Sequence, residues 1–241
     1  MQEQITLYGD IHKLSPYVRR VELALLEAGA TFKTHRFGVY TKPAWFVGPD
    51  GVNPYTGKIP AITYGGPEVP PEEPSPLSAK ITESHVILEF IADVFPSSQL
   101  LPSDPVSRAH VRFFMDAIKN VDGPALDFFY GTSGAYEKLL NGLEAIQKLL
   151  PDEGEFAVGE HYTIADASLT PILYFVVVLA KTNAGKFDPE LGTKLAEELR
   201  SEKLAKLRKY GKGMMERENF KKAVDMEHDK DVIKQLFGDR S

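Results

Sequence analysis

The apolar pattern of this chain changes character once, near residue 100, and that change bounds the fold more tightly than any other feature. Up to about residue 95, strand-like and helix-like runs alternate; from about residue 104 onward every periodic segment is helical. "ITLY" and "TFKTHRF" predict short strands on either side of a helix in which Val18, Val21, Leu25 and Ala28 recur at helical spacing. "KIPAITY" and "SAKIT" predict two more strands, and "ESHVILEFIADVF" a helix that closes at Pro96. A strand–helix–strand start followed by two strands and a helix makes a small α/β layer structure. The expected organisation is therefore an α/β domain over 1–95, a proline-bearing linker over 96–105 ("PSSQLLPSDPVS" begins it), and an all-helical domain over 106–241.

In the second half, "VSRAHVRFFMDAIKNV", "AYEKLLNGLEAIQKLL", "IADASLTPILYFVVVLAKT" and "PELGTKLAEELRSEKLAKLRKY" predict at least four helices, with two shorter ones behind them. "TIAD", Thr163 to Asp166, is a capping-box pattern and opens the most apolar of the four. Its run "PILYFVVVLA" is too short to span a bilayer and reads as a buried core segment, so no membrane partner is expected. "YGGPEVPPEEPSPLS", rich in proline and glutamate, predicts an exposed, irregular excursion between two strands.

Several function classes fall away on composition. The chain has 34 acidic and 28 basic residues, a formal charge of −6 and no basic tract, which argues against nucleic acid as a partner. Gln2, Glu3 and Gln4 interrupt any apolar start, so no signal peptide is expected. There is no cysteine, hence no disulfide, no thiolate–metal site and no enzyme-borne sulfur nucleophile. The six histidines are scattered without ligand-like spacing, and no metal is expected. If sulfur chemistry happens here, a ligand brings the sulfur.

Four local patterns then follow one another. Ser15-Pro16 starts the first helix; "TKPAWF" (Thr41 to Phe46) follows the second strand; "GKIPAI" puts Ile59-Pro60 at the start of the third; "TESHVI" puts Glu83-Ser84 at the start of the next helix. In this order and spacing the chain resembles the cytosolic glutathione transferases, and within them the omega class. "KPxWF", the "NPxxGxxP" run from Asn53 to Pro60 and the "ES" pair carry the resemblance, which extends over essentially the whole chain. It departs at one telling position: omega proteins carry Cys-Pro-Phe where this chain has Ser15-Pro16-Tyr17, which is similar to a serine-type branch of the class in wood-decaying fungi.

The resemblance implies a thioredoxin-like N-terminal domain, an all-α C-terminal domain, glutathione as co-substrate, a homodimer and a cytoplasmic enzyme. It implies that Ser15 donates a hydrogen bond to the glutathione sulfur. It also implies that the Ile59-Pro60 bond is cis, so that Ile59 can pair with the cysteinyl backbone of glutathione as an added strand would. The glycyl carboxylate would be reached by Lys42, and the γ-glutamyl end held by Ser84 and Glu83. Each residue also has a plainer role open to it. Ser15 is a good helix cap, Pro60 an ordinary strand-start proline, Thr82 or Ser84 a simple N-cap, and Lys42 a solvated loop charge. Hydrolysis by Ser15 lacks support, since there is no GxSxG elbow and His12 has no third partner.

Tyr8, where some transferase classes keep a catalytic tyrosine, reads as a structural aromatic. Phe113, Phe114, Phe128, Phe129, Tyr130 and Tyr174 read mostly as core. Of these, Phe128, Tyr130 and Tyr174, together with Tyr17, are the candidates for an apolar pocket that takes an electrophile or an aromatic ligand. Two other functions stay open: a carrier of aromatic small molecules, and a scaffold that keeps the fold without the chemistry.

Overall fold

The computed structural model describes residues 3–238, and the chain divides into two compact units, Met1–Leu100 and Leu101–Ser241. In the first, β1 (Ile5–Asp10), α1 (Pro16–Glu27), β2 (Lys33–Phe37), α2 (Ala44–Val47), β3 (Ala61–Tyr64), β4 (Ala79–Thr82) and α3 (Ser84–Val94) follow in order. The strands form one mixed sheet in the order β2-β1-β3-β4: β1 and β2 run parallel, the other pairs antiparallel. This is a thioredoxin-like arrangement. The parallel pair is joined through α1, as a parallel connection requires a crossover.

Side chains alternate across a strand, and the alternation sorts the two faces of the sheet. A Cβ at Gly9 would sit 2.9 Å from Val18 Cγ1, so the Gly9 face meets α1. Tyr64 shares that face and packs edge-on against Phe90 of α3. The opposite face carries Tyr8, His35 and Phe37, covered by Trp45 and Phe46 of the four-residue α2.

The proline-rich excursion completes that cover. The Tyr8 hydroxyl donates to the Pro71 carbonyl at 2.9 Å, His35 Nε2 lies 3.4 Å from Glu72 Oε1, and Lys33 pairs with Glu68. Ser75 and Ser78 within it are buried, and Ser78 Oγ donates to the Gly65 carbonyl at 2.8 Å. It is irregular, as its composition predicts, but it is tied down rather than free.

The second unit holds α4 (Pro105–Phe129), α5 (Ala135–Leu149), α6 (Ile164–Thr182), α7 (Pro189–Arg200), α8 (Ala205–Glu216), α9 (Glu218–Ala223) and α10 (Met226–Phe237). The segment 96–105 is not bare linker: a short 3-10 turn spans Pro96–Ser98, and α4 starts at Pro105 with Asp104 as its cap. α4 also runs past its predicted end, through Pro124, to Phe129. The single helix predicted over 189–210 is two. Ser201 adopts an extended ψ of 159° and turns its hydroxyl back to the Glu198 carbonyl at 2.7 Å, which ends α7. α4 and α5 come into close contact at Gly142, where a Cβ would fall 2.1 Å from the Asn120 carbonyl oxygen.

α6 is the core of this unit. At 19 residues it is long and apolar enough to cross a membrane by length and composition, beyond what its ten-residue apolar run suggests, yet 89% of its apolar window is buried by the protein itself. Its start is the predicted capping box: Thr163 Oγ1 accepts from the Ala165 N–H at 3.3 Å, and Asp166 Oδ2 accepts from the Thr163 N–H at 2.9 Å. Asp166 Oδ1 accepts from the Ala157 N–H at 2.7 Å and the Tyr210 hydroxyl at 2.9 Å, which ties the α5–α6 loop and α8 to the same carboxylate.

Burial pushes the Asp166 carboxyl up to about 6 from its ordinary 3.8, against the pull of the backbone N–H groups and hydroxyls bonded to it. A raised folded-state value means that the native state holds its proton longer than the unfolded chain. The stabilisation is full below the ordinary carboxylate range and is lost as pH rises through about 6. A difference of that size between the folded and unfolded chain corresponds to about 3 kcal/mol. Urea unfolding of the protein and of Asp166→Asn across pH 4 to 7 should therefore show the stability difference between them falling by about 2 kcal/mol as pH rises. A difference independent of pH would contradict this account of the buried carboxyl.

Candidate functional site

The sheet register brings the candidate residues of the first unit to one end of the sheet. Thr82 of β4 pairs with Ala61 of β3, and Ala61 pairs with Tyr8 of β1, so the C-terminal half of β1 and the last residue of β4 flank the first of β3. Phe37, the last residue of β2, pairs with Asp10 at the same end. The segments that leave or enter there carry Ser15, Lys42, Ile59-Pro60 and Glu83-Ser84.

Ser15 is the N-cap of α1, with extended backbone, and its Oγ accepts from the Val18 N–H at 3.3 Å. A hydroxyl has one proton and two lone pairs, so capping leaves the Ser15 proton available to an acceptor. Pro16 at the first helical position has no N–H to satisfy. The loop before it is held by Asp10, 6% exposed, whose carboxylate accepts from Leu14 N–H at 3.0 Å and Ser15 N–H at 3.2 Å. The Ser15 backbone N–H is thus used internally, and the hydroxyl is the group left to meet a ligand.

The Ile59-Pro60 peptide bond is cis, as expected from "GKIPAI". Among the described residues, neither the N–H nor the C=O of Ile59 has a backbone hydrogen-bond partner. The loop before it is built around Asn53, which is fully buried. Asn53 Nδ2 donates to Thr56 Oγ1 and to the Lys58 carbonyl, each at 2.9 Å, and its Oδ1 accepts from the Thr56 N–H at 3.2 Å. Lys42 lies over this loop: a Cβ at Gly57, whose φ is +61°, would sit 3.7 Å from Lys42 Nζ. The lysine is exposed.

At Glu83 the chain passes from β4 to α3 in a single residue, with φ 68° and ψ 117°. A non-glycine residue held there costs about 1–3 kcal/mol. No side chain caps α3, so the first-turn N–H groups of an eleven-residue helix lack the usual capping partner. The Glu83 carboxylate is exposed, with Thr56 Oγ1 3.5 Å from its Oε1. The pairing of β3 with β4 thus sets a carboxylate, an uncapped helix start and the cis-proline loop side by side.

The other candidates separate. Tyr17 sits in the first turn of α1, half-buried, under the Arg20 guanidinium at 5.0 Å. Tyr8 is buried with its hydroxyl on Pro71, and burial holds its phenol above the ordinary value, so it is a tether of the excursion. Phe128 and Tyr174, expected to line a pocket, are 1% and 2% exposed and pack in the helical core. Phe128 stacks on Phe187 at 4.3 Å; the Tyr174 hydroxyl donates to buried Asp229 at 2.8 Å. Fully enclosed rings cannot offer a wall to a ligand. Tyr130, at the C-terminal end of α4, is 53% exposed with Lys186 Nζ over its ring at 5.4 Å.

Asp10 and Asn53 are positioning residues that sequence patterns do not single out. Asn53 only opens the "NPxxGxxP" run, and Asp10 merely precedes the capping serine by five residues. Both are buried polar groups, a property that a sequence does not display. Among the described residues no group of three or more His, Asp or Glu could hold a metal ion.

Comparison with known proteins agrees with this architecture. Residues 14–94 match the family model described as glutathione S-transferase, N-terminal domain, and 110–210 the model of the C-terminal domain. Glutathione transferase Omega 1C from Trametes versicolor is 40% identical, with 98% of each chain covered and a TM-score of 0.88. Omega 2S from the same organism, solved in complex with 2,4-dihydroxybenzophenone, is 38% identical over 97% of each chain, with a TM-score of 0.84. The Arabidopsis thaliana protein glutathione S-transferase DHAR2 is 28% identical over 209 residues, 85% of this chain and 81% of its own. Two other curated relatives are matched over only about half of their length. Two family domains in the expected order and a 40% identical neighbour aligned end to end leave one conclusion: this chain belongs to the glutathione transferase family.

Proposed function

We propose that the protein is an omega-like transferase of serine type that activates the thiol of glutathione for attack on small electrophiles or hydroperoxides. The observation that carries this reading is Ser15: a helix-capping hydroxyl whose proton stays available, in a chain without any cysteine. The unit Met1–Leu100 holds glutathione, with Ser84 and Glu83 on its γ-glutamyl carboxylate and ammonium, Ile59 on the cysteinyl backbone and Lys42 on the glycyl carboxylate. The candidates for contact with the electrophile are Tyr17 in α1 and, in the helical unit, Tyr130.

Energetics support the role of Ser15. Moving a thiol from ~8.5 to below 7, by about two units, takes about 2.7 kcal/mol. A helix N-terminus supplies ~0.3–1 kcal/mol, and up to ~2 when partly buried. One hydrogen bond to a charged acceptor supplies ~1.5–3 kcal/mol. The Asp10 carboxylate, although engaged by two backbone N–H groups, opposes a nearby thiolate. The hydroxyl therefore carries the larger share.

Two measurements test the reading together: turnover of an activated aryl halide with glutathione, and calorimetric titration of glutathione into Ser84→Ala. The variant should bind glutathione roughly ten- to a hundredfold more weakly, the value of a hydrogen bond to a carboxylate. An unchanged dissociation constant would show the γ-glutamyl placement to be wrong.

A second reading, a carrier of aromatic small molecules, is favoured by the benzophenone complex of the Omega 2S neighbour. It predicts thermal stabilisation by a dihydroxybenzophenone without turnover of any electrophile. A homodimer and a cytoplasmic location are proposed on the family resemblance, and sedimentation velocity tests the first.

A further inference from the structure

Beneath α2 a histidine stands among aromatic rings, where an apolar side chain would fill the same space. His35 of β2 meets Tyr8 of β1 and Trp45 of α2 edge-on, with ring centroids 5.9 and 5.3 Å apart. It lies parallel to Phe37, two residues along its own strand, at 6.4 Å. Its Nε2 is 3.4 Å from Glu72 Oε1 in the proline-rich excursion, with the histidine 21% and the glutamate 49% exposed. Lys33, on the same face of β2, is taken up by Glu68. The charged group left to answer a charge on His35 is therefore Glu72.

What the His35 ring supports is α2. Four residues make a single turn, too short to be stable by itself, so α2 takes its place from what packs against it. Trp45, Val47 and Ile59 of the cis bond rest on one buried cluster around Tyr8, Phe37 and Phe46. The Trp45 carbonyl accepts from the Val52 N–H at 3.2 Å and the Phe46 carbonyl from the Asn53 N–H at 2.8 Å, which ties α2 to the loop that leads to Ile59. Lys42 stands two residues before α2. Glu72 thus holds the His35 ring, the ring holds Trp45, and Trp45 holds the turn that follows Lys42.

Protonation strengthens the first of these contacts. Histidine ordinarily changes its charge between pH 5 and 8, and an imidazolium is drawn to a carboxylate more strongly than a neutral ring is.

We propose that His35 and Glu72 are positioning residues for Lys42, forming a clasp that tightens when His35 takes up a proton and loosens as pH rises. Glutathione affinity then falls with rising pH through the protein, independently of the thiol. The inference rests on the reading that puts the glycyl carboxylate at Lys42.

S-methylglutathione is the probe, because its blocked thiol cannot ionise and its carboxylates and ammonium keep their charge between pH 5.5 and 7. In calorimetric titration its dissociation constant should rise about two- to fivefold over that range, as much as a half-exposed ion pair supports. Glu72→Gln, at an exposed position, should flatten that rise. Emission from Trp45, the single tryptophan of the chain, should still change with pH in this variant, because His35 still gains its charge beside the indole. His35→Gln should abolish both responses. A rise undiminished by Glu72→Gln would overturn the proposal and leave the pair as a tether of the excursion, as would Trp45 emission in the parent that ignores pH. Lys42→Gln separates this inference from the reading beneath it: the variant should bind more weakly and without pH dependence. Weakened binding that keeps the parental pH dependence would overturn the clasp alone. Binding as tight as the parent's would overturn the placement of the glycyl carboxylate.

Discussion

Ser15→Ala is expected to lower conjugation rates near neutral pH roughly ten- to a hundredfold, the kinetic equivalent of losing ~1.5–3 kcal/mol of thiolate stabilisation. The same change removes the oxygen that accepts from the Val18 N–H, so the fold should lose ~1 kcal/mol, the value of a lost N-cap. The two losses are separable because they use different parts of one hydroxyl: a lone pair caps the helix, and the proton meets the sulfur. The rate deficit should shrink as pH rises and the glutathione thiol ionises unaided. A variant that is less stable but has the parental pH–rate profile would reduce Ser15 to a cap. The donor would then have to be found elsewhere, and not at Tyr8, whose hydroxyl is committed to Pro71.

Asn53→Ala should produce the next largest effect, in binding rather than chemistry. The side chain is wholly buried and makes three hydrogen bonds within the loop that leads to the cis Ile59-Pro60 bond. Removing it leaves the Lys58 carbonyl and the Thr56 N–H without their partner, at about 1–3 kcal/mol of stability. Thr56 Oγ1 also approaches Glu83, so both the Ile59 backbone and the γ-glutamyl end lose their support. KM for glutathione is expected to rise about tenfold or more while kcat stays within about twofold, because a displaced loop weakens ground state and transition state alike. Steady-state kinetics with glutathione varied checks this. An unchanged KM would mean that the loop holds its shape without Asn53.

Local chemistry made much of this fold readable. Ser15 before Pro16, Thr163 three residues before Asp166, and alternating apolar runs in the first 82 residues each state a preference of the backbone itself, and the structure follows them. What escaped was decided by tertiary packing. α2 is only four residues long, and its Trp45 and Phe46 gain their place from Tyr8 and Phe37 across the sheet. Pro124 argues for a helix end in sequence, but α4 continues through it to Phe129. Conversely, "LRSEKL" is helical in composition, and Ser201 breaks it by turning its own hydroxyl on the Glu198 carbonyl.

The same division holds at the site. Residues at strand and helix ends are singled out by the resemblance, and the β3–β4 register that pairs Ala61 with Thr82 sets Pro60 beside Glu83. Aromatic residues are not so singled out. Phe128, Tyr130 and Tyr174 look alike in sequence, and only burial separates the two core rings from the exposed one.

The central claim is that the Ser15 hydroxyl holds the sulfur of bound glutathione as a thiolate, and the ultraviolet absorbance of that thiolate measures it directly. Titrated with pH in the complex with glutathione, the protein should show a bound-thiol pKa below about 7, against about 8.5 for a free thiol. In the Ser15→Ala complex the value should climb by about 1–2 pH units, the equivalent of one lost charge-assisted hydrogen bond. A bound thiol that titrates at the free value in the parent protein, or at the same value in both proteins, would contradict the account.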